Sequence, residues 1–598
     1  MSTLSFETLR MPAARLGSDN PLPPLYNQQN PINFKKISDI PAEIVEKFDY
    51  GFLPNNAPYT FQEDYSRQLI PTDFRVAVLE NEILKAVFLI EFGGRLRSLF
   101  HKPSNRELLL VNPDFQLANL AIRNAWFCGG IEWNIGTIGH SPFTCSPLFT
   151  ARMMRPDGTP VLRLYEWERF RQVPFQIDFY LPDESHMLYA HVLINNPNDH
   201  DVPMYWWSNI ALQDEPGLRV IVPSDSALCL GCRQDEFIKI PIPDFKGIDI
   251  TYPANIKHAS DLFYEIQHNN RHWVTAVNKD GRGLVQISTN NLIGRKLWVW
   301  GSQRGGKNWQ KFLSPGGKDY IEIQAGITRT QLEHKRLPGK AQLSWLEAYG
   351  LLEVDPEVAH GSHWAKVVNH VESELEILVP EANLISEYHI ALDVARSPAK
   401  RILQLGSGWG ALENHRREAA GEQSISALGT DFSENSLSKE QAPWINLINK
   451  GTFPYQDPDL APGGYLVGEK WQAMLEEAII TGPSLNWFAY FHLGVMRHHA
   501  GDFRGAQTAW EHSVNLTWSA WAVRCLGIVA WHEGRFDEAL GYLLAAYRSQ
   551  PDLVPLAVEC GKCMIEAEQY QLFFQFFHDL PTSMQTLGRM RLLNAQSA

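Results

Sequence analysis

The sequence predicts a multidomain protein, a large antiparallel β-sandwich over residues 74–340 followed by an α-helical region that ends in helical repeats. Three observations carry this. Between residues 74 and 335 the chain is cut into short runs rich in β-branched and aromatic residues, bounded by Gly, Pro, Asn and Asp. After Pro338 the apolar spacing reads as helical. From about residue 484 the chain repeats itself: Leu493/Leu526, Gly494/Gly527, Gly501/Gly534, Phe503/Phe536 and Ala506/Ala539 are each 33 residues apart.

Composition sets the limits. A chain of 598 residues is too long for one core, so two to four domains are expected. Hydrophobic content of 44% and charged content of 20% are those of a globular protein, whereas 19 Trp are unusually many. A formal charge of −14 argues against nucleic acid or an anionic membrane as partner. The opening residues show no basic region followed by an apolar one, and no stretch has the length of a membrane span, so a soluble, cytoplasmic protein is expected. Seven cysteines, an odd number, fit reduced thiols. The pairs Cys229/Cys232 and Cys560/Cys563 resemble half-sites for zinc, but they lie far apart without His partners, so no metal and no cofactor is expected.

Residues 1–73, rich in proline and turn residues, read as an irregular lead-in with short strands. From residue 74, FRVAVLENEILKAVFLIEFGGRLRSLFHKPSNRELLLV alternates like paired strands, with turns at 80–81 and 103–105. Residues 121–145, AIRNAWFCGGIEWNIGTIGHSPFTC, stand out next. They place Arg123, Glu132, Trp133, Asn134 and His140 among Gly129, Gly130, Gly136 and Gly139, which let backbone turn sharply or approach closely. Glu132, set between Ile131 and Trp133, needs a partner or a raised pKa if it is buried. It is either a structural carboxylate tied to Arg123 or backbone amides, or part of a ligand site. Period-two counting puts Trp207 and Asn209 on one face of their strand and Trp206 on the other; Trp298 and Trp300 share a face, as do Glu322 and Gln324. Arg95 follows a Gly-Gly pair.

QLSWLEAYGLLEV reads as the start of a helical region and linker over 341–483. Inside it, RILQLGSGWGALE with Asp431 further on has roughly the spacing of a Rossmann-like methyltransferase opening. The further βα units such a domain needs are missing. The passage therefore reads as a Gly-rich turn between helices, with Glu413 and Arg416 on a solvated helix. Residues 484–598 resemble tetratricopeptide repeats, with a degenerate third unit as cap. His492, His498 and His499 on these helices read as packing or surface residues. The repeats could hold a peptide, a protein partner or a second copy of the chain, or could pack internally.

The phrases GGRLRSLFHK, IRNAWFCGG and YIEIQAG resemble galactose mutarotase and its relatives, the β-supersandwich of sugar-modifying enzymes. Over nearly its full length, through RNAWFCGGIEWNIGTIGHSPFTCSPL, MYWWSNIAL, GSGWGALE and SWLEAYG, the chain resembles an uncharacterised bacterial family that joins such a domain to tetratricopeptide repeats. The resemblance implies the role of general base for Glu322. It also implies a general-acid His where this sequence has Tyr205, with His140 or His191 as possible substitutes. The departure leaves room for glycoside hydrolysis, in which two carboxyl groups flank the bond. The expectation is thus a carbohydrate-active enzyme, foremost a glycoside hydrolase acting on an oligosaccharide or glycoside. Glu132 and Glu322 would be catalytic, with Glu166, Glu168, Asp214 and Glu333 in reserve. Arg95, Arg123, Asn134, His140, Asn209 and Gln324 would hold hydroxyls, and Trp133, Trp207 and Trp300 would stack on sugar rings. The alternatives are an aldose epimerase (mutarotase) and a non-catalytic sugar-binding scaffold that engages proteins through its repeats.

Overall fold

The structure is a computed structural model that describes residues 1–26, 36–232, 236–399, 401–482 and 484–598. The chain forms two compact units. The first comprises Met1–Gly17, Asn30–Phe52 and Gln62–Ser436; the second comprises Ser18–Gln29, Leu53–Phe61 and Leu437–Ala598.

Among the described residues the first unit holds a 13-stranded and a nine-stranded sheet, antiparallel except where Lys36–Ser38 pairs in parallel with Glu236–Pro241 at one edge. The strands fall where the β-branched and aromatic runs lie. The inner faces of the two sheets interdigitate through aromatic side chains: Phe88 and Trp133 meet Phe179, with ring centroids 4.6 and 5.2 Å apart, and Trp206 meets Trp345 at 5.2 Å. The outer face of the second sheet is covered by the helices Trp364–Leu378 and Glu381–Ala395. Their apolar stripe (Val367, Val371, Leu375, Leu384, Ala391) packs on Tyr180, Tyr189, Trp273 and Leu346. Each large aliphatic residue buried there stabilises the pairing by about 1.5–3 kcal/mol.

The structure corrects several expectations. The lead-in opens with a 12-residue strand, Thr3–Ala14, paired along its whole length with Leu69–Glu80, so it is part of the sheet. Gln342–Glu353 is a strand, not a helix, lying between Met187–Asn195 and Arg282–Ser288. Its residues from Leu343 to Leu352 are buried on both faces, which erases alternation, and its Leu, Ala and Glu favour helices in isolation. The sandwich therefore continues past residue 340. The glycine-rich passage joins strand Arg401–Gln404 to helix Trp409–Ala419 rather than two helices. There the Ser407 amide donates to Glu166 (2.6 Å), and a Cβ on Gly406 would lie 2.3 Å from the same carboxylate oxygen. The chain's own carboxylate thus occupies the turn, and burial pushes Glu166 up to about 7. Glu413 and Arg416 are buried and paired, and Arg417 donates to the same carboxylate at 2.8 Å. Cys229 and Cys232 form a disulfide, against the expectation of reduced thiols.

In the second unit Trp487–His499 pairs with Phe503–Leu516, Ala520–His532 with Phe536–Ser549, and Val554–Glu566 with Tyr570–Asp579. Gly494 is what permits the first pairing: the Trp510 indole lies where its Cβ would be, at 2.3 Å, and donates to the Phe491 carbonyl (3.1 Å). Asn486, Asp502 and Ser519 cap the helices that follow them. No helix among the described residues is long and apolar enough to cross a membrane.

Candidate functional site

Five strands of the first sheet lie side by side in the order Ile131–Ile135, Trp206–Gln213, Tyr320–Gly326, Gly294–Val299 and Ser260–Tyr264. Their register sets one row of Glu132 opposite Asn209, Asn209 opposite Gln324, Gln324 opposite Lys296, and Lys296 opposite Phe263. The next row runs Ala211, Glu322, Trp298, Asp261. Residues directly opposite share a face. Trp133 and Trp206 point from the other face into the inter-sheet core, so both rows face away from it.

On this face lies a cavity of about 490 Å³. Asn209, Glu322, Gln324, Lys296, Trp298 and Asp261 form its floor; Trp126, His140, Tyr205, Trp300, Trp309 and Gln331 are among its walls. Gln324 donates to Glu322 (2.7 Å) and accepts from Gln331 (2.6 Å). The Lys296 ammonium pairs with Asp261 and with the Gln331 amide oxygen, and lies 5.2 Å from the centroid of Phe263. Asn209 Oδ1 is buried and accepts no hydrogen bond from any described residue. Burial pushes the Glu322 carboxyl above its ordinary range, opposed by His140 and Lys296 and reinforced by Glu132.

His140 is held from behind. Its Nδ1 donates to Glu132 at 2.8 Å, which fixes the ring's orientation and tautomer and leaves Nε2 outside that contact. Glu132 does not line the cavity. Its carboxylate also accepts from the Trp126 indole (3.0 Å) and the Thr144 hydroxyl, and lies 3.2 Å from the Arg95 guanidinium. Burial alone would raise it, but His140, then Arg95, then Thr144 outweigh burial and hold it well below the usual carboxylate range. The 121–145 stretch makes this arrangement possible through its glycines. At Gly130, with φ +72°, a Cβ would lie 2.2 Å from the Leu96 carbonyl, so only glycine lets the strand begin so close to its neighbour.

Of the candidate catalytic and sugar-binding residues, Glu322, His140, Asn209, Trp300 and Gln324 meet in this cavity. The others do not, and each has a structural occupation. Arg95 donates to the carbonyls of Phe127 (2.6 Å) and Gly129 (3.0 Å). Arg123 donates to Ser146 Oγ (3.1 Å). Asn134 accepts from the Ser141 amide (2.7 Å) and so folds the loop that carries His140. Trp133 donates to the Gly94 carbonyl (3.1 Å) inside the inter-sheet core. Trp207 is fully buried, and its ring lies where a Cβ on Gly326 (2.2 Å) or Gly294 (2.8 Å) would be, so it is a packing residue and not a stacking platform. His191 is buried on the second sheet, where burial lowers it to about 3. Among the reserve carboxylates, Glu168 accepts from the amides of Phe170 and Arg171, Glu333 accepts from Thr330, and Asp214 lies outside the cavity.

Sequence reasoning missed Lys296, Asp261, Gln331, Trp126 and Trp309. The signal for Lys296 was present, since in KLWVW it shares a face with Trp298. Asp261 depends on a strand register that the sequence does not carry. Trp309 was hidden because QRGGKNWQ belongs to a helix, Arg304–Leu313, which stacks Trp309 on Trp300 with centroids 5.8 Å apart at 21°.

Residues 54–344 match the family described as "Domain of unknown function (DUF5107)". Among solved structures, a TPR-domain containing protein from Parabacteroides distasonis is similar over 100% of this chain and 95% of its own, with a TM-score of 0.64 and 16% identity, a likeness of fold. A galactose mutarotase-like protein from Clostridium acetobutylicum matches 47% of this chain and 96% of its own, with a TM-score of 0.34 and 11% identity. One from Lactobacillus casei matches 46% and 99%, with a TM-score of 0.33 and 13% identity. The expected order, a large antiparallel sandwich and then paired helices, is the order observed.

Proposed function

We propose that the cavity binds a sugar and that the protein is a carbohydrate-active enzyme transferring protons at the anomeric centre, as an aldose epimerase does. The observation that carries this reading is the placing of a buried carboxyl, Glu322, and a carboxylate-anchored imidazole, His140, in one cavity walled by indoles. Indole faces suit the apolar faces of a pyranose, while Asn209, Gln324, Gln331 and Lys296 suit its hydroxyls. Glu322 as carboxylate removes the proton from the anomeric hydroxyl while His140, as acid, protonates the ring oxygen. The C1–O5 bond breaks as the C1=O1 bond forms. Rotation about C1–C2 and the reverse transfers close the other anomer. The raised pKa of Glu322 brings its basicity nearer to neutral pH, where general-base catalysis is most effective. Glu132 is then a positioning residue: it orients His140 through the bond to Nδ1.

Glycoside hydrolysis by Glu132 with Glu322 is less well supported, because Glu132 has no free oxygen facing the cavity. The other carboxylate that lines it is Asp261, tied to Lys296. Anomer exchange measured by NMR across a panel of free aldoses, beside a panel of chromogenic glycosides, decides between these readings. Accelerated exchange that Glu322→Gln abolishes, with sugar binding retained, supports the epimerase. Cleavage of a glycoside without such exchange overturns it in favour of hydrolysis. Sugar binding with neither activity overturns it in favour of a scaffold.

A further inference from the structure

We infer that one face of the helical repeats is a recognition site for an extended, proline-rich peptide bearing leucine and tyrosine, and that the chain fills this site with its own residues 20–26. That segment reads Asn-Pro-Leu-Pro-Pro-Leu-Tyr. Pro21, Pro23 and Pro24 have no N–H, so the segment cannot join a strand or helix ladder through them and presents carbonyls instead. The helical unit supplies donors for two of these. The Tyr465 hydroxyl donates to the Pro21 carbonyl (2.6 Å), and Arg524 Nη1 donates to the Pro23 carbonyl (2.8 Å). Arg524 belongs to helix Ala520–His532 and is itself aimed by Glu559 on helix Val554–Glu566, whose carboxylate accepts from its Nε at 2.8 Å.

Side chains complete the fit. Leu22 and Leu25 are each 1% exposed. Tyr26 sets its ring edge-on to Trp531 (5.8 Å) and His532 (5.7 Å), under the Arg524 guanidinium at 5.6 Å. Donors aimed at proline carbonyls, two buried leucines and an aromatic wall together make a mode of polyproline recognition. Nothing in this chemistry depends on the peptide being part of the same chain. Arg524 and Glu559 give the site a built centre: a guanidinium 1% exposed whose remaining donor reaches the peptide. The inference stands apart from the sugar reading and leaves the repeats self-occupied; a partner with the same chemistry must displace residues 20–26 to bind here.

The test uses the full chain and a fluorescent peptide of residues 18–26, SDNPLPPLY. The unaltered chain is expected not to bind it, because the tethered copy is always present. The variant Leu22→Ser/Leu25→Ser is expected to bind, and adding Arg524→Gln is expected to weaken that binding about tenfold or more, the worth of a charged hydrogen bond. A folded double variant that ignores the peptide, or binds a scrambled one equally well, overturns the inference. If the double variant does not fold, Tyr465→Phe serves, since it removes only the hydroxyl given to Pro21. Amide exchange at residues 22 and 25 should then rise about threefold to tenfold, with helix Phe536–Ser549 unchanged. Unchanged exchange at those amides overturns the inference equally.

Discussion

Glu132 and Glu322 invite comparison. Both are glutamates on the same face of the same sheet, on strands that flank Trp206–Gln213, and they are 5% and 7% exposed. Their carboxyl groups are nevertheless pushed in opposite directions. Burial is the largest influence on both and acts upward on both, so burial does not separate them. The difference lies in what each carboxylate meets. Glu132 has an imidazole, a guanidinium, an indole and a hydroxyl around it. The hydrogen bond described for Glu322 is a single amide, from Gln324, and Lys296 spends its charge on Asp261. A carboxylate saturated by donors is a structural anion; one left with burial and few donors holds its proton to higher pH and can exchange it.

The strongest way to break this comparison is to make the same substitution at both sites. Glu322→Gln should lower turnover about 10²–10⁴-fold, the usual worth of a positioned acid–base group, without lowering the thermal midpoint at neutral pH. Glu132→Gln should act chiefly on the fold: it leaves Arg95 buried without its anion and should cost about 3–5 kcal/mol of stability by denaturant titration, and it also loosens the anchor of His140. Their pH dependence has opposite signs. The Glu132 contribution is fully present above the unfolded carboxyl pKa and fades as pH falls below it towards the depressed folded value. The Glu322 contribution is present below the unfolded pKa and fades as pH rises through its raised folded value. Equal stability losses, or matching pH profiles, would show that the two sites do not differ as described.

Smaller tests sharpen it. Gly326→Ala forces a methyl onto the Trp207 ring and should cost about 1–3 kcal/mol, read as a lowered urea midpoint. Lys296→Met removes a cation that holds Glu322 down, so the acid limb of kcat/KM should move to higher pH, leaving less ionised base at any fixed pH below it. Trp300→Ala should weaken sugar binding by about 1 kcal/mol, measured by calorimetry, with stability scarcely altered. A large stability loss there would place Trp300 with Trp207 as a packing residue.

How far the sequence reveals these features depends on the kind of order involved. Period-two counting put Asn209, Glu322 and Gln324 on definite faces, and they do face one cavity, because alternation is a local property of a strand. The 33-residue spacing likewise showed the repeats. The counting could not tell Trp207 from Trp300, which follows its strand by one residue, since only the glycines beneath Trp207 decide that its face is filled. Nor could it find Asp261, which reaches the site through a strand register set by long-range pairing. Gln342–Glu353 reads as a helix for a related reason: when both faces of a strand are covered, the alternation that identifies it disappears.

The seating of residues 20–26 among helices from the other end of the sequence has a consequence for synthesis. Pro23 and the Arg524 that binds it are 501 residues apart. A ribosome adding about 5–20 residues per second needs roughly 25–100 s to cover that interval. Throughout that time Tyr26 lacks Trp531 and His532, and the Pro23 carbonyl lacks Arg524. The second unit is therefore the last to close, and the newborn chain presents chaperones with a proline-spaced apolar segment until its final helices emerge.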